Sequence, residues 1–253
     1  MELQDKLTHF QQNNIHPYAI SYDPVETLKT FAEKHHITYP LLSDYGSTAI
    51  RAFGIFNADV PPDKKSYGVP HPGTYIVNAQ GIVIDKSFHE HYAVRDSIAS
   101  MLQQRLHIDP QGCPVQTIEN EDLKAVVTLS SGTIRRGQVQ TLTLNITLKN
   151  NRHIYSPNIE GGYTPTRLTF DEIEDVQFGE VFYPEPKPLH LKALNETLPV
   201  FTNHITLKTN LTNLKRESFV VRAHLHYQAC DDRDCYLPQK MAFELPLTYL
   251  ENI

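Results

Sequence analysis

The sequence has no excess of positive charge, no long apolar run and no signal-peptide core. Its net charge is -6 over 253 residues, which argues against nucleic acid or an anionic membrane surface as its main partner. No apolar run approaches the length of a membrane-spanning helix. The first residues (MELQDKL) are charged and predict a helix rather than the apolar core of a signal peptide. As written, the chain is expected to stay in the cytoplasm, where a dithiol would rest mostly reduced.

Cysteine is scarce, and its placement restricts where thiol chemistry can occur. The chain has three cysteines, and none precedes Cys113. Cys113 lies in a stretch with proline and glycine (DPQGCP) that is typical of a linker, where a cysteine is usually an incidental thiol. The other two, Cys230 and Cys235, stand close together near the end of the chain. We therefore expect catalytic thiol chemistry at this late pair.

A strand with one apolar and one polar face precedes the pair. Apolar side chains alternate with mostly polar ones over residues 219–228 (FVVRAHLHYQ), which is the period-two pattern of a half-buried strand. Extending the alternation places Cys230 on the polar face with His224 and His226, away from the core. The sequence thus predicts a hairpin that carries a dithiol.

Three interpretations of the cysteine pair remain open on the residues alone. A structural disulfide across so short a loop would remove only about 2 kcal/mol of unfolded-chain entropy, against more than about 4 kcal/mol for a long loop. A zinc site is the second interpretation, with the ligands His224, His226, Cys230 and Cys235. The atom types suit zinc, but the spacing differs from that of zinc fingers. The third is a redox-active pair, because a small ring forms and breaks readily on an exposed hairpin. We favour the redox pair, and we expect no metal and no cofactor.

Residues 227–238 (YQACDDRDCYLP) carry a resemblance to a known family. They resemble the cysteine hairpin of the N-terminal domain of thiol:disulfide interchange protein DsbD, and the triplet at residues 153–155 (HIY) extends the resemblance toward residue 120. The resemblance implies an immunoglobulin-like sandwich over residues 121–253, in the periplasm. It also implies that Cys230 and Cys235 pass electrons to a redoxin or another thioredoxin-fold protein through a transient mixed disulfide.

The same resemblance implies residues that surround the pair. In the family a loop caps the cysteines and excludes stray thiols until a partner arrives. Position suggests Phe182 and Tyr183 for this cap, and the alternative is a proline-rich turn packed on the sandwich. Tyr155 resembles a family tyrosine near the pair, although taken by itself it could equally belong to the core. By analogy, Cys235 is expected to be the sulfur that attacks first.

Helices and strands alternate over residues 1–107, which predicts an α/β layer fold. Residues 72–81 (PGTYIVNAQG) and 39–44 (YPLLSD) resemble the alkyl hydroperoxide reductase/thiol-specific antioxidant group of redoxins. The resemblance implies a thioredoxin-like domain with an antioxidant role, in which Pro72 matches a cis-proline beside the active site. An ordinary trans proline is the alternative.

The redoxin resemblance leaves out the catalytic cysteine. In redoxins this cysteine begins the helix after the central strand, and this sequence is expected to begin inside that helix. We expect an incomplete sheet with two unpaired inner edges, and no peroxidase activity from this chain alone. A start that is placed too late, a rearranged sheet and a strand from another chain are the explanations considered.

The second part of the chain is expected to begin after a linker over residues 108–120. Beyond it, many half-buried strands joined by turns are typical of an antiparallel sandwich. We therefore interpret the chain as an incomplete thioredoxin-like domain followed by an all-β immunoglobulin-like sandwich. Its predicted function is thiol–disulfide exchange through Cys230 and Cys235. The alternative is a non-catalytic redoxin-like binding module whose disulfide is structural.

Overall fold

A computed structural model describes residues 2–89, 93–108, 112–191, 196–231 and 233–251 of the chain. The division between its two units falls after residue 108. None of the described helices is long and apolar enough to cross a membrane.

The first unit alternates short helices and short strands. In chain order its elements are α1 (Glu2–Asp5), α2 (Leu7–Gln12), β1 (Ala19–Ser21), α3 (Val25–Lys34), β2 (Leu41–Ser43), α4 (Thr48–Ala52), β3 (Gly73–Val77), β4 (Val83–Phe88), β5 (Arg95–Asp96) and α5 (Ile98–Arg105). Strands β1 and β2 pair in parallel, whereas β3 and β4 form an antiparallel hairpin. These are two separate two-stranded sheets in the described part of the chain. The predicted alternation of helices and strands is therefore present.

Short polar side chains set the start of a helix and a turn in this unit. The Asp44 carboxylate accepts backbone N–H groups of Ala49 at 3.0 Å and Ile50 at 2.8 Å, at the start of α4. These are donors that the first helical turn leaves without a partner inside the helix. Asn78 turns the β3–β4 hairpin in a similar way, because its side-chain oxygen accepts the N–H groups of Gln80 and Ile82 at 3.0 Å each.

The peptide bond before Pro72 is trans, which corrects the expectation of a cis-proline. No described peptide bond is cis. A bond before proline favours trans by about 0.5–1 kcal/mol unless tertiary contacts impose the other isomer. Here the His71 N–H donates to the Ile55 carbonyl at 2.7 Å, and Gly73 begins β3 directly after the proline. The chain therefore runs on into a strand, and no tight turn demands the cis form.

The described residues of the second unit form strands and no helix. In chain order the strands are β6 (Val115–Glu119), β7 (Leu123–Leu129), β8 (Thr133–Ile134), β9 (Gln138–Leu148), β10 (His153–Tyr155), β11 (Arg167–Phe170), β12 (Val176–Phe178), β13 (Lys187–Leu191), β14 (Glu196–Thr202), β15 (His204–Asn213), β16 (Phe219–Tyr227), β17 (Ala229–Cys230) and β18 (Gln239–Tyr249). The prediction of a mostly-β second domain is confirmed.

Two sheets of this unit share one hydrophobic core. One sheet has the strand order β12–β15–β9–β7–β6, and the other has the order β11–β16–β18–β8, in which β8 runs parallel to β18. Buried and exposed side chains alternate along β7, β16 and β18, so every second side chain points into the core. Core residues from both sheets include Leu123, Val127, Leu144, Leu207, Val221, Leu225, Phe243 and Leu245.

A third sheet, with the strand order β13–β14–β10–β17, carries the first cysteine of the pair. The chain leaves β16 at Tyr227 and joins this sheet at Ala229. The alternation continues across this change of sheet, because Tyr227 and Ala229 lie in the core of the two sheets, whereas Cys230 packs on the other side with Tyr155 and Val200. Cys230 is 1% exposed, so the prediction of an exposed polar face is wrong at this position.

Part of the predicted linker over residues 108–120 is a strand of the second unit. Residues 109–111 lie outside the described part of the chain. Val115–Glu119 pairs antiparallel with β7, and Ile118 packs against the core of the two sheets. The Cys113 thiol donates a hydrogen bond to the Ser130 carbonyl at 3.1 Å. An apolar side chain that the core can bury is the reason why this stretch pairs with the sheet.

Candidate functional site

Cys230 and Cys235 form a disulfide at the end of a short hairpin. The two residues face each other in an isolated antiparallel bridge. On one side of it the Asp231 N–H donates to the Asp234 carbonyl, and on the other the Tyr236 N–H donates to the Ala229 carbonyl, both at 2.9 Å. The hairpin predicted from the sequence is present, and its two sulfurs are bonded to each other.

The Asp231 carboxylate holds the turn of this hairpin. One oxygen accepts the N–H groups of Arg233 and Asp234 at 2.8 Å each, and the other accepts the Tyr236 hydroxyl at 2.7 Å. These hydrogen bonds, the one from Tyr236 foremost, lower the pKa of Asp231 to about 2. The carboxylate is therefore ionised at neutral pH and is a strong acceptor for the turn.

Arg152 packs the hairpin onto the rest of the unit. Its guanidinium lies over the Tyr236 ring, 4.1 Å from the centroid, at the distance of a cation–π contact. The same guanidinium forms a buried ion pair with Asp122. The second carboxylate oxygen of Asp122 accepts the Tyr227 hydroxyl at 3.1 Å. The hairpin is thereby tied to the buried end of β16.

The two cysteines differ in their exposure to solvent. Cys230 is 1% exposed and packs with Tyr155 and Val200, whereas Cys235 is exposed. A partner thiolate needs an open line of approach to one sulfur of a disulfide. Of the two cysteines, Cys235 is the exposed one.

The hydroxyl of Tyr155 contacts both sulfurs. Its oxygen lies 3.1 Å from Cys230 Sγ and 3.3 Å from Cys235 Sγ. Sulfurs of a disulfide carry no hydrogen, so the hydroxyl is the donor. The side chain is fully buried, and burial together with the negative charge of Glu196 raises the pKa of Tyr155. The hydroxyl therefore keeps its proton at neutral pH, and the structure brings Tyr155 against the cysteine pair.

A segment that sequence reasoning missed covers Tyr155. It connects β10 to β11 over residues 156–166, and we call it the Tyr163 segment. The Tyr163 ring centroid lies 4.8 Å from that of Tyr155, and the Tyr163 hydroxyl donates to Glu196 Oε2 at 2.7 Å. This hydrogen bond, ahead of desolvation, raises the pKa of Tyr163 to about 12. Gly161, with a φ of +90°, is a local signal of a sharp bend, but it does not reveal what the segment covers.

Two family models match consecutive parts of the chain. Residues 1–86 match the family described as AhpC/TSA. Residues 122–247 match the family described as thiol:disulfide interchange protein DsbD, N-terminal. We call residues 1–86 the AhpC/TSA segment, and we call the unit that contains residues 122–247 the DsbD-type unit. The two families support a thiol–disulfide redox function, and both predicted resemblances are confirmed.

Curated relatives of the chain include alkyl hydroperoxide reductases. Alkyl hydroperoxide reductase E from Mycobacterium bovis and its namesake from Mycobacterium tuberculosis are each 31% identical to the chain over 97 residues. The alignment covers 38% of this chain and 59% of each relative. The chain thus spans less than two thirds of the length of the relatives that it matches.

Solved structures resemble the chain more distantly. The N-terminal periplasmic domain of ScsB from Proteus mirabilis is 11% identical, with a TM-score of 0.37, and the match covers 53% of this chain and 49% of that one. The reduced DsbD N-terminal domain from Neisseria meningitidis is 10% identical, with a TM-score of 0.31, and the match covers 53% of this chain and 84% of that one.

The predicted cap residues Phe182 and Tyr183 lie between β12 and β13. Phe182 is 65% exposed, and its backbone pairs beside β15. The Tyr183 hydroxyl oxygen accepts the Leu168 N–H at 3.0 Å. Both residues line a cavity of about 670 Å³ that they share with residues 156–158. The contacts with Tyr155 described above come from the Tyr163 segment, and a capping role for Phe182 and Tyr183 stays a prediction.

The four residues considered as zinc ligands do not assemble in the DsbD-type unit. His224 Nε2 lies 2.8 Å from Asp171 Oδ1, and His226 Nε2 lies 3.3 Å from Thr169 Oγ1. Both sulfurs are engaged in the disulfide, whereas a zinc ligand must be a thiolate. Within the described residues, no group of three or more His, Cys, Asp and Glu side chains is arranged to hold a metal ion.

Proposed function

We propose that the chain exchanges disulfides with a thioredoxin-fold partner through Cys230 and Cys235. The observation that carries the proposal is that the two cysteines of the disulfide differ in their exposure to solvent. Cys235 is exposed, and Cys230 is buried with its sulfur beside a hydrogen-bond donor. A structural disulfide requires neither feature. The match of this unit to the DsbD N-terminal family supports the same chemistry.

The exchange proceeds in two balanced steps. A partner thiolate attacks Sγ of Cys235, a bond forms between these sulfurs, and the Cys230–Cys235 bond breaks with its electron pair leaving on Cys230. A second thiolate of the partner then attacks the partner sulfur of this mixed disulfide and releases Cys235 as a thiolate. The partner dithiol is thereby oxidised to a disulfide, and the pair gains two electrons. The reverse sequence passes those electrons on to the next partner.

A redoxin is the kind of thioredoxin-fold protein that we propose as a partner. The support is the presence of an AhpC/TSA segment in the same chain. That segment cannot supply the thiol that accepts the electrons, because residues 1–112 contain no cysteine. We therefore propose that the acceptor thiol lies outside these residues, in a redoxin or another thioredoxin-fold protein.

The AhpC/TSA segment is proposed to be a thioredoxin-like domain that lacks its central strand and does not reduce peroxide. Its strand pairs β1–β2 and β3–β4 are separate sheets in the described residues. A thioredoxin-like sheet without its middle strand would leave this arrangement. We expect hydrogen peroxide to be consumed with dithiothreitol at the same rate with and without the purified chain. Consumption that increases with the concentration of the chain would contradict this proposal.

Trapping of a mixed disulfide tests the exchange. The Cys230→Ser variant keeps the exposed Cys235, and the matched Cys235→Ser variant keeps the buried Cys230; both carry Cys113→Ser so that one cysteine remains. Each is mixed with thioredoxin whose attacking cysteine has been activated with thionitrobenzoate and whose second cysteine is replaced. We expect a covalent complex with Cys230→Ser and little or none with Cys235→Ser. Equal yields would contradict the asymmetry.

The reduction potential separates exchange from a permanent structural bond. Equilibration with glutathione buffers, followed by alkylation and mass measurement, gives the potential of the pair. We expect a value between about -300 and -120 mV, the range of thiol-exchange proteins. A value far below about -300 mV, together with no trapped complex, would assign the disulfide to a non-catalytic binding module.

A further inference from the structure

We infer that Tyr155 is a catalytic residue whose hydroxyl stabilises the thiolate that leaves on Cys230 when a partner attacks Cys235. The inference rests on the proposed function and identifies a group that acts in it. The contact is present before the bond opens, because the hydroxyl oxygen lies 3.1 Å from Cys230 Sγ. The role follows from where negative charge develops during exchange.

That charge develops in a buried place. Cys230 is 1% exposed, and its cluster contains Val200, with Ile159 and Leu198 packed against it. An apolar environment raises the pKa of a thiol and makes its thiolate a poorer leaving group. The Cys230 thiolate therefore needs a hydrogen-bond donor inside the protein, and the hydroxyl of Tyr155 is positioned to donate to it.

The position of the hydroxyl suits both halves of the exchange. It lies 3.1 Å from Cys230 Sγ and 3.3 Å from Cys235 Sγ, so the same donor reaches the sulfur that leaves in the first step of reduction, Cys230, and the one that leaves in the second step, Cys235. The ring is held between two neighbours, with centroids 5.8 Å away at His153 and 4.8 Å away at Tyr163. A donor that is fixed before reaction does not have to reorganise while the bond breaks.

Other titratable groups surround the pair and have to be held constant in a test. On β10, His153 pairs across the sheet with Cys230. The Tyr163 hydroxyl, in the Tyr163 segment, donates a hydrogen bond to the Glu196 carboxylate on β14. On the hairpin itself stands the ionised Asp231 carboxylate. A Tyr155→Phe substitution leaves all four in place, so the difference from the parent reports the hydroxyl.

The first test is the rate at which dithiothreitol reduces the disulfide. We expect Tyr155→Phe to lower the second-order rate constant about tenfold, the effect of losing one hydrogen bond to a charged group. Tyr75→Phe is the matched control, because it removes a tyrosine hydroxyl that lies in the first unit and donates to the Phe53 carbonyl. The control should keep the wild-type rate. Urea denaturation checks that both variants are folded.

The second test is the pKa of the Cys230 thiol, read from thiolate absorbance when Cys113 and Cys235 are both replaced by serine. We expect this pKa to be no higher than that of an exposed cysteine, in spite of burial. Adding Tyr155→Phe should raise it by about one unit, which is the same tenfold change. A parent pKa well above that of an exposed cysteine would overturn the inference even if Tyr155→Phe failed to fold.

The results also separate this inference from the proposed function. If Tyr155→Phe is reduced at the wild-type rate, or has the parental Cys230 pKa, Tyr155 is not the donor. That outcome leaves exchange by the wild-type protein intact. If the wild-type disulfide resists dithiothreitol and traps no thioredoxin, the proposed function itself fails.

Discussion

Reduction of the Cys230–Cys235 disulfide is expected to lower the free energy of unfolding by only about 2 kcal/mol. The cysteines are 5 positions apart in the sequence, and closing a loop of about six residues corresponds to about 2 kcal/mol in the chain-entropy relation. The hairpin also keeps other supports when the bond opens, namely the hydrogen bonds of Asp231 and the packing of Arg152 on Tyr236. The fold should therefore survive each cycle of reduction.

Urea denaturation of the oxidised and the reduced protein measures this difference. A Cys113→Ser background prevents disulfides with Cys113, and a phosphine keeps Cys230 and Cys235 reduced in the second sample. Both forms should unfold cooperatively with similar m values, and the midpoint of the reduced form should be lower by about 1 M urea. Because about 1.4 kcal/mol corresponds to about 30 mV for a two-electron couple, the folded pair should be about 40 mV more reducing than the same pair in the unfolded chain.

A loss of more than about 4 kcal/mol, the value of a long loop, would refute this reasoning. So would the disappearance of a cooperative transition on reduction. In either case the bond would be holding tertiary structure together, and exposure of Cys235 would not make it a site of exchange. A urea midpoint that does not move, with exchange intact, would contradict the loop-closure magnitude alone.

Three further outcomes are expected. The hydrogen bond from Tyr163 to Glu196 should contribute stability that is complete below about pH 10 and is lost as the pH rises through about 12. A Tyr163→Phe variant should therefore lose less stability in alkaline urea titrations, and equal losses would contradict the assignment. The pKa of Asp231, about 2, lies below its unfolded value of about 3.9, so its contribution should be complete above about pH 4 and lost toward pH 2. Asp231→Asn, which keeps an acceptor but cannot ionise, should flatten acid-unfolding curves there, and an unchanged curve would exclude Asp231 as the cause. Arg152→Ala leaves Asp122 buried without its ion-pair partner and should cost about 3–5 kcal/mol in urea denaturation. A cost below about 1 kcal/mol is that of a surface pair and would show that the pair is solvated.

The cysteine hairpin and the mostly-β second half were predictable because both depend on neighbours along the chain. The pair is recognisable from residues 227–238, and strands such as β7 and β18 show the period-two pattern of half-buried strands. The burial of Cys230 was not predictable in this way. The alternation places Cys230 away from the core of the two sheets, and only the tertiary structure covers that side with Tyr155 and Val200.

The sequence by itself determined which residues carry the thiols of the pair, how far apart they stand in the chain, and which two families the chain matches. Those properties reside in the order of neighbouring residues. Only the tertiary structure decided that Cys230 is buried, that Cys235 is exposed and that Tyr155 touches both sulfurs. Tyr155 and Cys230 are separated by 75 positions in the chain, and they meet because β10 pairs with β17. A contact between strands so far apart is set by packing, which no local pattern records.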